Sequence, residues 1–349
     1  MDTTLKKFFA IIIGVLIFYI LQELSSIILP LVLAFLFASL FQPLVMFLKK
    51  KNLPKWLFVP MVALITLAVL FGITMVIIQT VGEVSAQQDF LIEKLNSKLN
   101  DIAVWLDTLT GDYIKVDFES VSSMLDPGTL SGIATDLASG FGSFTGSFIM
   151  FTVYYIVILF SLTDYDRFLR FVEGKEDGKY LLYFERIQRS ISSYMIVKIF
   201  VSILTAGIVY TICKIFGLQF AFFWAFLTFL LNFIPSIGST IAVIFPTLMG
   251  IIQFDSFKTV IFMAALMTVT QMTIGNLVEP SLMGSRLRLN TLTVLFGLVF
   301  WGFMWGVPGM FLSVPLLVIM KLILEQFPEF SVFARLMGSP DRAVKAKRE

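Results

Sequence analysis

Two interruptions in long uncharged stretches of the chain carry the residues best suited to bind a small ligand. In the first stretch, residues 215–254, a polar segment at 232–240 contains proline and glycine; in the second, residues 289–320, the interruption lies at 302–309. Proline lacks an amide donor and breaks the helical ladder, so each interruption frees backbone carbonyls that lipid cannot solvate. Paired broken apolar segments are typical of a transporter's substrate site.

The first interruption also supplies hydroxyl and amide side chains, whereas the second offers aromatic side chains and bare backbone. Helical segments that restart after Gly238 and Pro308 would direct N-termini, with partial positive charge and free N–H groups, toward a ligand. This combination favours a small polar, hydroxylated or anionic solute. The predicted substrate-binding residues at the two interruptions are Asn232, Pro235, Ser236, Gly238, Ser239, Thr240, Gly306, Pro308 and Gly309.

Three further polar residues lie in and just after the apolar segment at residues 261–278. Gln271 and Asn276 are costly in an apolar helix, so we predict that they also bind the solute; interhelical hydrogen bonds are the alternative. Glu279 is the only acid between Asp255 and Glu325, which makes it the candidate for proton or sodium coupling. A solvated residue at a helix end is its other interpretation.

The composition predicts a membrane protein. The chain is 58% hydrophobic and 15% aromatic, with 14% charged residues and a mean hydropathy of +0.90. Its net charge of +2 implies no nucleic-acid partner. With no histidine and the single cysteine Cys213, the usual zinc and haem ligand sets are missing, so no metal, cofactor or catalytic group is predicted.

Eight apolar segments follow from a requirement of ~20 apolar residues for each crossing of a ~30 Å hydrocarbon core. Two of them are the broken stretches. The six predicted full spans are residues 8–21, 27–48, 56–78, 147–162, 196–214 and 261–278. An amphipathic elbow on the cytoplasmic surface is predicted before the fifth span, ending at residue 198.

Charge sets the predicted orientation of these spans. Four lysines at 49–55 and a basic C-terminal tail predict cytoplasmic loops and cytoplasmic N- and C-termini. Residues 83–136 carry ten acids and three lysines, which predicts an extracellular or periplasmic helical subdomain with an extended piece near 116–118. Each broken stretch must then begin and end on one side of the membrane.

The broken stretches are therefore predicted to be re-entrant helical hairpins that enter from opposite faces, as in an inverted-repeat transporter core. The fourteen residues at 220–233 form ~21 Å of helix, which is too short to cross. Two ordinary helices with proline kinks are the alternative. The predicted division is 1–80 (scaffold spans), 81–140 (extracellular subdomain), 141–198 (fourth span and elbow), 199–328 (transport core) and 329–349 (basic tail).

Three motifs resemble those of the autoinducer-2 exporter family (AI-2E family transporter, permease-M-like). They are Asn232-x-x-Pro235-x-x-Gly238, Asn276-x-x-Glu279-Pro280-x-x-Met283-Gly284, and the glycine-rich run that leads to Pro308-Gly309 and Val314-Pro315. The resemblance extends over roughly residues 1–330. It implies a multi-pass protein of the bacterial plasma membrane, a homo-oligomer, possibly pentameric, and elevator-like movement. Ser236 and Ser239 stand where many members have an aromatic residue and a second proline.

The resemblance also implies export of a small solute such as the quorum-sensing signal autoinducer-2, or antiport of sodium or protons. We therefore interpret the chain as an all-α polytopic membrane protein and a secondary-active exporter of a small polar solute that works by alternating access. One alternative is a sodium (cation)/proton antiporter centred on Glu279. Another is a non-transporting membrane scaffold that binds a partner through its acidic extracellular subdomain.

Overall fold

The computed structural model describes residues 3–86, 93–94, 97–98, 148–165, 179–283 and 289–338. The predicted extracellular subdomain lies mostly outside the described residues, as does the end of the basic tail. The described elements are helical, apart from an isolated antiparallel bridge between Leu289 and Gly338.

Ten helices organise the described residues. They are α1 (Thr3–Glu23), α2 (Ser25–Lys50), α3 (Lys55–Ala86), α4 (Phe148–Tyr165), α5 (Lys179–Phe216), α6 (Ala221–Leu231), α7 (Ile237–Gln253), α8 (Phe257–Thr273), α9 (Thr291–Leu324) and α10 (Ser331–Met337). Helix α8 continues through a π-helical turn, Ile274–Val278, into a last α-helical turn, Glu279–Met283. By length and composition, α2, α3, α4, α5, α8 and α9 are candidate membrane spans, although α9 is broken near its middle. The chain is therefore a polytopic membrane protein whose described part is helical.

One of the membrane-length helices differs from the predicted spans, whereas α1, with 21 residues, includes the whole of the predicted first span. The predicted elbow and fifth span form one uninterrupted helix, α5, of 38 residues. Its first half packs on protein, with Gln188 and Ile191 fully buried, which explains why the helix continues where charge predicted a surface segment.

The first broken stretch consists of two antiparallel arms, α6 and α7, joined at 232–236. The side chain of Gln253, at the end of α7, accepts a hydrogen bond from the backbone N–H of Gln219 at 2.7 Å and donates one to the backbone carbonyl of Gly217 at 2.7 Å. One side chain thus holds together the two ends of the stretch. The arms have 11 and 17 residues, or ~16 and ~25 Å of helix.

The second broken stretch, α9, also folds back on itself. The backbone leaves helical geometry at Trp305 (φ −131°, ψ 15°) and Gly306 (φ 63°, ψ −143°). A Cβ on Gly297 would lie 2.4 Å from Leu317, twenty residues away, which would be ~30 Å distant along a straight helix. The segments before and after the break must therefore lie against each other.

Three apolar clusters hold the helices together. The first cluster joins α2, α3 and α4 around Tyr155. The second joins α1, α2, α5 and α9 around Trp305, and the third joins the four helices α5, α6, α7 and α8 around Met263. Because α5 contributes to the second and third clusters, it links the first broken stretch to the second.

Three ion pairs connect the ends of the helices. They are Lys55–Asp164 at 2.5 Å, Lys98–Asp255 at 2.8 Å and Arg186–Glu325 at 3.6 Å. Each pair joins two segments that the charge pattern assigned to the same side of the membrane. The hydrogen bond and the charge of Lys98 lower the pKa of Asp255, whose side chain is highly exposed.

Candidate functional site

We call the interruption of each broken stretch its tip, residues 232–240 in the first and 302–309 in the second. A cavity of about 470 Å³ lies where the first tip meets α5 and α8. Lys198 stands near the midpoint of α5, and Asn232 at the tip donates a hydrogen bond to Ser202 of α5 at 2.9 Å. The tip therefore reaches the middle of a membrane-length helix. The lining residues are Tyr194, Lys198, Asn232, Ile234, Pro235, Ser236, Ser239, Gln271, Met272, Gly275, Asn276, Glu279, Pro280, Met283, Leu289, Val294 and Val314.

The tip itself is a tight, polar turn. The backbone of Ser236 has φ 61° and ψ −55°, a conformation that residues other than glycine rarely adopt. Such strained backbone is often found at functional sites. Its carbonyl accepts hydrogen bonds from the hydroxyl groups of Ser239, at 2.9 Å, and Thr240, at 3.0 Å. The hydroxyl groups of Ser239 and Thr240 thus stabilise the turn, and Ser236 and Ser239 line the cavity.

Gly238 is required for the arms to approach so closely. A Cβ at this position would lie 1.8 Å from the Leu231 carbonyl oxygen. Gly309 plays the same part in α9, where a Cβ would lie 1.9 Å from the Trp301 carbonyl oxygen. The turns of the two broken stretches are built by the same device.

Glu279 forms a mostly buried ion pair with Lys198. The Lys198 Nζ lies 2.5 Å from the Glu279 Oε1, and the two side chains are 6% and 18% exposed. Glu279, in the last turn of α8, is therefore paired and largely shielded from solvent, unlike the solvated residue of the alternative interpretation. Its partner is 81 positions away in the sequence, on a different helix.

The π-helical turn of α8 forms another wall of the cavity. Such turns are rare and are frequently found at functional sites. Gly275 and Asn276 belong to this turn and line the cavity, and a Cβ on Gly275 would meet no atom within 4 Å. Gln271, one turn earlier, is 8% exposed and lines it too.

Seven of the residues predicted from the sequence are brought together in this cavity. They are Asn232, Pro235, Ser236, Ser239, Gln271, Asn276 and Glu279. The others, Gly238, Thr240, Gly306, Pro308 and Gly309, do not line it. The second broken stretch contributes Leu289, Val294 and Val314, none of which belongs to its interruption at 302–309.

The tip of the second stretch lies against α1. Trp305 donates a hydrogen bond from Nε1 to the Leu21 carbonyl at 3.1 Å, and Phe18 stacks on Phe303 with ring centroids 6.3 Å apart. Phe233 at the first tip stacks on Phe311 of α9, with centroids 5.9 Å apart. The two broken stretches are therefore in contact, while their turns face different surroundings.

Tyr194 and Lys198 were missed from the sequence. A lysine inside a predicted span was the signal that could have identified Lys198, because charged residues within membrane segments mark functional sites. Tyr194 has no comparable signal. Among the described residues, no group of three or more carboxylate, cysteine or histidine side chains could hold a metal ion.

Comparison with known proteins places this architecture in a family. The model of the AI-2E family transporters matches residues 8–329. The AI-2 transport protein TqsA of Escherichia coli K12 is 27% identical over 319 residues, which cover 90% of this chain and 91% of TqsA. "Putative transport protein YhhT" of the same strain is 28% identical over 314 residues, covering 90% of this chain and 88% of YhhT. Since the family match extends over nearly the whole sequence, the chain belongs to the AI-2E transporter family.

Proposed function

We propose that this protein is a secondary-active exporter of a small polar solute, which binds in the cavity between the first tip, α5 and α8. The observation that carries the proposal is the polar cavity itself. Amide, hydroxyl and charged side chains from three elements converge beside broken backbone, in a chain with several apolar helices of membrane-spanning length. Such a placement of polar groups is costly in a membrane unless a function requires it.

Alternating access would follow from the construction of the two broken stretches. We propose that both are re-entrant, entering the membrane from opposite faces as an inverted repeat. The arm lengths of ~16 and ~25 Å in the first stretch support this, because neither arm reaches across ~30 Å of hydrocarbon. The half that bears the two broken stretches would move as an elevator-like unit against the N-terminal spans, with the termini in the cytoplasm and the protein assembled as a homo-oligomer, possibly a pentamer.

Autoinducer-2 is the solute we propose first. TqsA is named an AI-2 transport protein and is similar to this chain over nearly its whole length. A small hydroxylated furanone suits a cavity of about 470 Å³ that presents the hydroxyl groups of Ser236 and Ser239 and the amides of Gln271 and Asn276.

A second candidate function is cation/proton antiport. The observation that favours it is the buried pair of Lys198 and Glu279, because an acid held inside a membrane protein is a natural site for a coupling ion. Under this proposal Glu279 would bind the cation or proton that drives exchange.

A flux screen in proteoliposomes tests both proposals. The purified protein would be reconstituted and given imposed proton or sodium gradients, with autoinducer-2 in one series and monovalent cations alone in the other. We expect gradient-driven movement of autoinducer-2 that empty liposomes lack. Exchange of cations for protons with no solute present, and no movement of autoinducer-2, would replace the first proposal with the second. If neither autoinducer-2 nor cations moved, both proposals would be contradicted.

A further inference from the structure

Lys198 and Glu279 are the only charged side chains among the described residues that line the cavity. Their charges are opposite and adjacent, with Nζ and Oε1 2.5 Å apart, so the part of the lining that the structure describes carries no net charge. The other polar lining groups, among them Asn232, Gln271 and Asn276, are uncharged. The cavity therefore offers both signs of charge to a ligand, but only as a pair.

We infer that this pair makes the cavity selective for solutes without net charge, either neutral hydroxylated molecules or zwitterions. The inference rests on the proposal that the cavity is the solute site, and it specifies the class of solute. It excludes the anionic solutes that the sequence alone allowed.

The physical reason is the cost of leaving one member of a buried ion pair without its partner. A cation that binds Glu279, whether or not it displaces Lys198, would leave one positive charge among these groups uncompensated. An anion that binds Lys198 would likewise leave one negative charge uncompensated. The free-energy cost of leaving a buried charge without its partner is large enough to weaken binding by a factor on the order of a hundred or more.

Solutes without net charge avoid this cost. An ammonium group has three donors and a carboxylate has about four acceptor sites, so a hydroxyl group can bind either residue while the pair stays intact. A zwitterion can separate the pair and still satisfy both residues, with its carboxylate on Lys198 and its ammonium group on Glu279. Both kinds of solute leave every charge in the cavity compensated.

Thiol labelling can measure this preference without any transport. In a Cys213→Ala background, Ser236→Cys places a thiol in the lining, and Ser239→Cys provides a second position. Each protein, in an uncharged detergent, would react with neutral hydroxyethyl, anionic sulfonatoethyl and cationic trimethylammonioethyl methanethiosulfonates. The rates would be divided by those of the same reagents with 2-mercaptoethanol.

The expected pattern is reciprocal. With the pair intact, the neutral reagent reacts fastest and the two charged reagents agree within about threefold. Lys198→Gln favours the cationic reagent over the anionic one by about tenfold or more, Glu279→Gln reverses this preference, and the double variant restores parity. Asn276→Asp, which adds a negative charge and keeps the pair, also favours the cationic reagent, so the test does not depend on the single variants folding.

The matched control is the exposed pair Lys55–Asp164, whose side chains are 53% and 44% exposed and do not line the cavity. Lys55→Gln and Asp164→Asn should leave all rates unchanged. A strong preference for one charged reagent with the pair intact would overturn the inference, as would single variants that shift the rates in the same direction or not at all. Failure of both thiols to react with the neutral reagent would also overturn it. None of these readings uses flux, so they are distinct from a failure of the proposed transport.

Discussion

Gly275→Leu is expected to reduce solute flux in proteoliposomes at least about tenfold while the protein keeps its fold. Gly275 lines the cavity from the π-helical turn of α8, and a Cβ there would meet no atom within 4 Å. The Cβ of a leucine would therefore enter open space, and we expect the rest of its side chain to take up space that the solute needs. Leucine also has a much higher helix propensity than glycine, so the helix itself should not be weakened.

Gly207→Leu is the matched control for this variant. Gly207 also has open space around a Cβ, but it is exposed on α5 and does not line the cavity. Both variants should show unfolding temperatures close to that of the unsubstituted protein, measured by size-exclusion chromatography after heating in detergent. Equal flux through Gly275→Leu and Gly207→Leu would show that the solute does not pass through this cavity.

Gly309→Ala and Gly238→Ala are expected to destabilise the protein strongly. The added Cβ atoms would lie 1.9 and 1.8 Å from backbone carbonyl oxygens of the preceding arm, at Trp301 and Leu231. Overpacking typically costs about 1–3 kcal/mol and sometimes more, and a backbone atom yields less readily than the end of a side chain. We therefore expect each loss of stability to lie at the upper end of this range or beyond it.

Thermal unfolding in detergent measures this loss, with Gly207→Ala as the control. Alanine at Gly207 meets no atom within 4 Å and should leave stability unchanged or raise it slightly, because alanine is the better helix former. If Gly238→Ala and Gly309→Ala unfolded at the temperature of the control, the arms of the broken stretches would not pack as closely as described.

Much of the architecture could be predicted from local features of the sequence. Apolar segment length predicted most of the membrane-length helices, and proline and glycine located the breaks near Pro235 and Gly306. The continuity of α5 could not be predicted, because its charged first half resembles a surface helix. Burial of Gln188 against other helices is a tertiary effect that no local pattern contains.

The candidate site was only partly predictable for the same reason. Polar residues in apolar segments identified Asn232, Gln271 and Asn276, which the structure brings to one cavity. The pairing of Lys198 with Glu279 depends on how α5 packs against α8, and sequence separation conceals it. Gly306, Pro308 and Gly309 of the second tip were expected to bind the solute, but they do not line the cavity, and Trp305 donates a hydrogen bond to the end of α1.

The most direct test of the central claim is the sided reactivity of a thiol at Ser236. The claim is that the cavity is the solute site of a protein that exposes it alternately to the two sides of the membrane. A Ser236→Cys, Cys213→Ala protein would be prepared in sealed vesicles of the two opposite orientations. A membrane-impermeant thiol reagent added outside the vesicles then reaches one face of the protein in the first preparation and the other face in the second. We predict reaction from both sides, with a ratio of the two rates that changes when a proton or sodium gradient is imposed. Reaction from one side only, whatever the gradient, would contradict alternating access at this cavity.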